Sequence, residues 1–260
     1  MRTTRIYVDL ELSPDQALLL PATSSAHVLR VLRLRVGAAL TVFNGRGGEF
    51  AATLIGTEKS AARLHIGAHG PVERESTLHL TLLQGIARGE RMDFIVQKAT
   101  ELGVQRIVPL ACEFSVVRLD PAAQIRRVDH WRNIAIAACE QCGRNRLPVI
   151  NTITAFTDWC VAAEAGTAIT AGCGGELRLM LVPEALDSLS TLTADNALTK
   201  GRLANAVLLI GPEGGLSKHE QPLAQRCGFR ACRLGPRILR TETAPLAALA
   251  ALQALAGDLG

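Results

Sequence analysis

Short apolar runs separated by turns dominate the first 70 residues of this chain. Alternation of apolar and polar positions predicts strands at residues 5–10, 40–43, 49–55 and 62–67. The glycine-rich turn at 44–48 joins the second and third of these strands into a hairpin. After Ser24, the spacing of Val28, Val31 and Leu32 predicts a short helix that ends at Leu34. These elements together predict a small β-barrel with one helix.

The hydrophobic period changes after residue 76. A strand is predicted at 78–86, a helix at 90–102 and another strand at 106–110. Such a strand–helix–strand unit implies a parallel sheet with a right-handed crossover. Further helices are predicted at 121–142 and 245–256, and further buried strands at 177–182 and 206–210. The sequence therefore predicts an α/β fold for this part of the chain.

A break between the two patterns lies near residue 72. Gly70 and Pro71 are followed by the charged residues Glu73, Arg74 and Glu75, which is typical of a domain boundary. We therefore expect two domains, residues 1–72 and residues 73–260. A chain of 260 residues is long enough for sizeable cores.

Composition narrows the cellular setting. No apolar run is long enough to span a membrane and the chain begins with charges, so we expect a cytoplasmic protein. Seven cysteines at irregular spacing fit a reducing compartment. The net charge is only +4, but all except four of the 28 basic residues are arginine. Arginine suits phosphate contacts and base stacking, although a genome rich in G and C would produce the same bias.

Two loops near the C terminus carry the strongest chemical signal. Residues 209–215 (Leu-Ile-Gly-Pro-Glu-Gly-Gly) and 234–244 (Leu-Gly-Pro-Arg-Ile-Leu-Arg-Thr-Glu-Thr-Ala) each follow an apolar stretch and bend through glycine and proline. Loops of this kind meet at the carboxyl edge of an α/β sheet, where such sheets bind ligands. Ser217 and Glu220 match a capping box, which predicts that a helix starts there. Neither loop matches a dinucleotide or Walker pattern, and a purely structural turn is the alternative for 211–215.

The two loops resemble the cofactor-binding signatures of the SPOUT superfamily, and in particular of its RsmE family of ribosomal RNA uracil-N3 methyltransferases. The resemblance extends to Arg5-Ile-Tyr, to 94–104 (Phe-Ile-Val-Gln-Lys-Ala-Thr-Glu-Leu-Gly-Val) and to 140–144 (Glu-Gln-Cys-Gly-Arg) with Pro148 beyond. It covers nearly the whole chain, and segment 234–244 is its most specific part. Phe114 departs from the pattern, because arginine is common there in the family.

The resemblance implies an α/β fold in which a small PUA-like β-barrel that helps grip RNA precedes a SPOUT-type knotted (trefoil) parallel-sheet methyltransferase domain. It implies that S-adenosylmethionine binds in the knot without a metal, and that the protein is a homodimer whose subunits complete each other's active sites. The implied partner is 16S ribosomal RNA or the small ribosomal subunit, with no DNA and no membrane. A SPOUT methyltransferase acting on transfer RNA and a non-catalytic RNA-binding assembly factor are the alternatives.

Carried over residue by residue, the resemblance implies a cofactor site made of Leu181, Pro183, Gly211, Pro212, Glu213, Gly214, Leu234, Gly235, Ile238, Leu239, Arg240 and Ala244. The N3 atom of uracil is a poor nucleophile until its proton leaves, so a base or a cation that stabilises the anion is required. Glu242 is the candidate base and Arg240 the candidate for stabilising the anion. The competing interpretation is that Glu242 only orients Arg240.

The candidate RNA contacts are arginines spread along the chain: Arg5, Arg30, Arg33, Arg91, Arg118 and Arg144. His27, Arg30 and Arg33 recur at three-residue spacing, which would place them close to one face of the short helix. A solvated surface is the alternative for each arginine. Cys139 and Cys142 have zinc spacing, but they lie in a predicted helix without a second pair, so no metal site is expected.

Overall fold

The computed structural model describes residues 4–115, 120–167, 176–189, 191 and 203–260. The chain divides into two compact units. The first unit comprises Met1–Glu75 together with Ile136–Leu147, and the second comprises Ser76–Ala135 and Pro148–Gly260. Within the described ranges, no helix is long and apolar enough to cross a membrane.

The first unit is built on a five-stranded sheet with strands β1 (Thr4–Tyr7), β2 (Ala17–Leu19), β3 (Ala39–Phe43), β4 (Glu49–Glu58) and β5 (Ala61–Gly70). Their order is β1-β3-β4-β5-β2, with β1 and β3 parallel and the other pairs antiparallel. Side chains such as Ile6, Val42 and Leu64 form its core. The predicted strands and the hairpin β3–β4 are confirmed. Strand β2 was not predicted, because its three residues are too few to show an alternation of apolar and polar positions.

The short helix of this unit differs from the expected one at its end. Helix α1 (Ala22–Ala26) continues into a π-helical turn, His27–Val31, in which the Leu32 N–H donates to His27 O at 2.9 Å. Arg33 then adopts a left-handed φ of 52°, which ends the helix. The prediction that His27, Arg30 and Arg33 share one helical face is therefore wrong, because Arg33 lies beyond the helix.

The second unit contains a parallel sheet. Its strands are β6 (His79–Gly85), β7 (Arg106–Ala111), β8 (Val149–Ile150), β9 (Thr154–Ala155), β10 (Glu176–Leu181), β11 (Asn205–Ile210) and β12 (Arg230–Cys232). The order is β12-β10-β11-β6-β7-β8, β9 also pairs with β7, and all of these pairs are parallel. The expected α/β fold and βαβ unit are confirmed.

Helices cover this sheet. They are α2 (Glu90–Glu101), the part of α3 (Pro121–Cys142) that precedes Ile136, α4 (Phe156–Glu164), α5 (Glu220–Arg226) and α6 (Thr243–Ala256). Successive side chains of a strand point to opposite faces. Accordingly, Leu208 and Ile210 of β11 join one apolar cluster and Val207 and Leu209 join the other. Because both faces of the sheet are buried, its strands have continuous apolar sequences. Because the strands are parallel, their carboxyl ends all lie at one edge of the sheet.

An ion pair deep in the first unit makes a test of its stability possible. Arg144 is 3% exposed, and its Nε and Nη2 atoms donate to the Glu75 carboxylate at 3.0 and 2.6 Å. Nearby, Arg5 pairs with Glu49 and donates to Asn145 Oδ1 at 2.6 Å. Removal of one member of such a pair leaves the other charge buried without compensation.

We therefore expect Arg144→Ala to lower the free energy of unfolding by about 3–5 kcal/mol, as measured by urea denaturation followed by circular dichroism. The matched control is Arg132→Ala, because Arg132 pairs with Asp129 on an exposed helix surface. That variant should change stability by less than about 1 kcal/mol. Equal stability of the two variants would show that the Arg144–Glu75 pair does not hold the unit together.

Candidate functional site

A cavity of about 690 Å³ lies in the second unit, where strands β10, β11 and β12 end. Its walls are the segments that follow these strands, including residues 181–184, 210–219, 232–235 and 237–239. This is the ligand-binding edge that is expected for an open parallel sheet. A concave site with mainly apolar walls and a few polar groups is typical of a small-molecule pocket.

The structure brings the predicted cofactor residues together around this cavity, with one exception. The residues that line it are Leu181, Pro183, Gly211, Pro212, Glu213, Gly214, Leu234, Gly235, Ile238, Leu239 and Ala244. Arg240 is the exception, and its side chain is 77% exposed. These residues are separated by up to 63 positions in the sequence (244 − 181), so the fold, and not local sequence, assembles the site.

Glycine is required where the backbone segments of the site touch. A Cβ on Gly85, at the end of β6, would lie 2.5 Å from Pro212 N. A Cβ on Gly211 would lie 2.5 Å from Gly215 C and 2.7 Å from Leu216 N. Gly215 itself has a φ of +72°, a conformation that favours glycine. The 211–215 loop is therefore folded tightly on itself and against β6.

A buried hydrogen-bond chain ties the two loops together. Thr241 Oγ1 donates to Gly211 O at 2.9 Å, and Gln84 Nε2 lies 3.4 Å from Thr241 Oγ1. Gln84 is fully buried and Thr241 is 8% exposed. Gln84 belongs to strand β6, Thr241 to the 234–244 loop and Gly211 to the 209–215 loop, so the chain of bonds joins three segments. Sequence reasoning missed both residues. Thr241 belongs to the 234–244 segment, the most specific part of the family resemblance, but its hydrogen-bond partner is visible only in the structure.

The first loop is also anchored to the helix that follows it. Glu220 N–H donates to Ser217 Oγ at 3.2 Å, and Ser217 N–H donates to Glu220 Oε2 at 2.9 Å. These reciprocal bonds confirm the pairing of the predicted capping box, but helix α5 begins only at Glu220, with His219 as its N-cap. The other oxygen of Glu220 accepts a bond from Glu113 N–H at 2.8 Å, so this buried carboxylate joins a third segment to the site.

Charged side chains form a cluster at one side of the site. Glu213 accepts bonds from Arg88 N–H at 2.9 Å and from Arg91 Nη1 at 2.8 Å. Burial raises the pKa of Glu213, but the hydrogen bonds from Arg88 N–H, from its own N–H and from Arg91, together with the positive charge of Arg91, hold the pKa below the usual value of glutamate. Arg91 Nε also lies 3.8 Å from Glu242 Oε2. Arg91 thus lies between two carboxylates.

The predicted catalytic pair is close but loosely associated. Arg240 Nη1 lies 4.0 Å from Glu242 Oε1, at the limit of an ion pair. Glu242 is much less exposed than Arg240, and its buried Oε2 has no hydrogen-bond partner among the described residues. A buried carboxylate oxygen without a donor is able to accept a proton or a hydrogen bond from a ligand.

The predicted RNA contacts fall into different environments. Arg30 and Arg33 are exposed on the first unit, whereas Arg5 and Arg144 lie in the buried ion pairs of that unit. Their placement favours a structural role for Arg5 and Arg144 over a phosphate contact. Arg91 is paired with Glu213, and Arg118 lies outside the described residues.

The tie between the loops gives a direct test of the cavity. We expect Thr241→Val to weaken S-adenosylmethionine binding at least about fivefold, because a buried acceptor such as Gly211 O that loses its donor costs about 1–3 kcal/mol. Isothermal titration calorimetry measures this change. Thr241→Ser should keep most of the affinity, and Thr243→Val, which alters an exposed threonine, serves as the control. Unchanged affinity in Thr241→Val would contradict the role of the tie.

Comparison with known families and structures agrees with this architecture. The family described as RNA methyltransferase domain matches residues 74–253, and the family described as RNA methyltransferase PUA domain matches residues 20–67. Ribosomal RNA small subunit methyltransferase E of Buchnera aphidicola subsp. Acyrthosiphon pisum is 34% identical over 257 residues, covering 98% of this chain and 94% of that protein.

Two solved structures extend the similarity to the whole chain. A Legionella pneumophila structure, described as a methyltransferase in complex with bound cofactor SAM, has a TM-score of 0.88 and 38% identity. Ribosomal RNA small subunit methyltransferase E from Neisseria gonorrhoeae, bound to S-adenosyl methionine, has a TM-score of 0.85 and 36% identity. Both comparisons cover 100% of each chain. The chain therefore belongs to the ribosomal RNA small subunit methyltransferase E family of RNA methyltransferases.

Proposed function

We propose that this protein transfers a methyl group from S-adenosylmethionine to N3 of a uridine in 16S ribosomal RNA of the small ribosomal subunit. One observation carries the proposal: the two C-terminal loops form a single cavity, and the partly buried Glu242 directly follows Thr241, which lines that cavity. Family membership supports the same reaction. The most direct test is mass spectrometry of 16S ribosomal RNA from cells that lack the gene, which should lose one N3-methyluridine.

The residues of the cavity fit the methyl donor. Ile238, Leu239 and Leu181 offer apolar surface to an adenine ring, and the glycine loop lets backbone groups approach the ligand closely. S-adenosylmethionine supplies a methyl group already activated by a positively charged sulfur, so no metal is needed for the transfer. The main task of the protein is to align donor and acceptor, which can contribute about 7–11 kcal/mol.

The acceptor nitrogen must lose its proton for the reaction to proceed. In our proposal, the carboxylate of Glu242 accepts the N3 proton through Oε2, which has no hydrogen-bond partner among the described residues and lies 3.8 Å from Arg91 Nε. The N3 electron pair then forms the bond to the methyl carbon, and the electrons of the carbon–sulfur bond remain on sulfur. Arg240 is exposed and close to Glu242, so it is available to stabilise the uracil anion.

We further propose that the protein works in the cytoplasm as a homodimer, with a trefoil knot at the cofactor site. The knot and the homodimer follow from the resemblance in the 209–215 and 234–244 loops, and the cytoplasmic location is the expectation from the charged, weakly apolar start of the chain. The Thr241–Gly211 bond, which joins those two loops, is compatible with such a threaded arrangement. Light scattering in solution should give twice the mass of one chain.

The role of Glu242 is tested by Glu242→Gln, which keeps the shape of the side chain but removes its basicity. We expect the methylation rate to fall about 100- to 10,000-fold, because that is the usual contribution of a general base. Affinity for S-adenosylmethionine should remain within twofold. Single-turnover transfer of a radiolabelled methyl group to small subunits from the deletion strain measures the rate.

Glu184→Gln is the matched control, because Glu184 also lines the cavity but is exposed. It should retain nearly the full rate. A full rate in Glu242→Gln would remove Glu242 from the role of base and leave it, at most, as a partner that orients Arg240.

The RNA contacts of the first unit are tested by salt dependence. Arg30 and Arg33 are exposed there, and each phosphate contact that is lost should reduce the slope of log affinity against log salt by about 1. We therefore expect Arg30→Ala and Arg33→Ala together to reduce the slope by about 2. Filter binding of 16S ribosomal RNA over a range of salt concentrations measures it, and an unchanged slope would place the RNA elsewhere.

A further inference from the structure

Phe114 is an exposed aromatic side chain in the wall of the cavity. It is 46% exposed and lines the cavity beside the glycine loop. It follows Glu113, whose N–H is held by the buried carboxylate of Glu220. A single exposed aromatic residue on a surface needs no explanation by itself, but one fixed at the wall of a ligand cavity is placed to contact what enters.

The side chain of Phe114 packs against the backbone of the 211–215 loop at Gly214. A Cβ built on Gly214 would lie 2.8 Å from Phe114 Cβ and 3.2 and 3.3 Å from its Cγ and Cδ2 atoms. Gly214 follows Glu213, which binds Arg91, and Arg91 in turn lies near Glu242. Phe114 therefore adjoins the side of the cavity where the charged cluster lies.

Charged side chains of both signs line the same cavity: the acids are Glu113, Glu184 and Glu213, and three cations lie among them. Lys218, Arg233 and Arg237 are all exposed there. A flat apolar surface combined with nearby positive charge is the chemistry that recognises a nucleotide, since the base has a π-face and the phosphate is an anion. An aromatic side chain stacks on any base, and a base presented for chemistry has to leave its own stack.

We propose that Phe114 is the stacking platform for a nucleobase of the RNA substrate at the cavity. This inference rests on the proposed function, because it assigns the ligand of Phe114 as RNA. The adenine of the methyl donor is the other possible occupant. The apolar walls at Ile238 and Leu239 already provide a surface for it, while Phe114 adjoins the loop that carries Glu213.

The matched variants are Phe114→Ala and Phe94→Ala. Phe94 is 45% exposed on helix α2 and does not line the cavity, so it controls for the loss of an exposed ring. We expect Phe114→Ala to raise the KM for small subunits from the deletion strain about 5- to 150-fold, the usual cost of one lost base–aromatic stack. Phe94→Ala should leave KM unchanged, and both variants should bind S-adenosylmethionine with unchanged affinity in calorimetry.

A binding measurement without turnover separates this inference from the proposed reaction. In Phe114→Trp, stacking of a base should quench the fluorescence of the new indole when a uridine-containing RNA oligonucleotide is added. The same RNA should not quench Phe94→Trp. Quenching without methylation by the wild-type protein would support the platform and contradict the proposed reaction.

Two results would overturn the platform. An unchanged KM in Phe114→Ala, with no quenching in Phe114→Trp, would show that no base stacks there. Loss of S-adenosylmethionine affinity in Phe114→Ala, in parallel with the rise in KM, would assign Phe114 to the donor site instead.

Discussion

The close contact between two C-terminal loops is the constraint on which the functional site depends. Gly211 and Gly215 fold the first loop so tightly that no Cβ fits at position 211. Thr241 of the second loop then reaches the Gly211 carbonyl, an acceptor that would otherwise be buried without a partner. Because the contact needs a glycine and a short hydroxyl side chain, it fixes the separation of the loops and hence the width of the cavity.

The parallel sheet supplies the frame for this contact. Its strands are buried on both faces and end at one edge, so loops that are remote in sequence are brought side by side. The site then combines two environments. Apolar walls suit a flat ring, and Glu213 in the wall belongs to a charged cluster with Arg91 and Glu242.

Local patterns in the sequence predicted what depends on short range. The βαβ unit, the hairpin β3–β4 and the Ser217–Glu220 capping box all follow from periodicity or from spacing within one turn. Strands β2 and β12 have three residues each and give no period. The helix end at Arg33 depends on a π-helical turn that residue spacing does not reveal.

Long-range pairing could not be predicted in the same way. From the sequence, Arg5 and Arg144 were equally compatible with a contact to RNA and with an ion pair inside the protein. Only the structure shows the buried pairs of Arg5 with Glu49 and of Arg144 with Glu75. For the same reason, the bond from Thr241 to Gly211, 30 residues away, and the position of Arg91 between two carboxylates emerge only from the fold.

The central claim is that the two loops jointly hold the methyl donor, and a crystal structure with S-adenosylmethionine tests it most directly. The account predicts ligand density in the cavity between residues 211–215 and 234–239, with the adenine against Ile238 and Leu239. Density at any other place on the protein, with this cavity filled only by solvent, would contradict it.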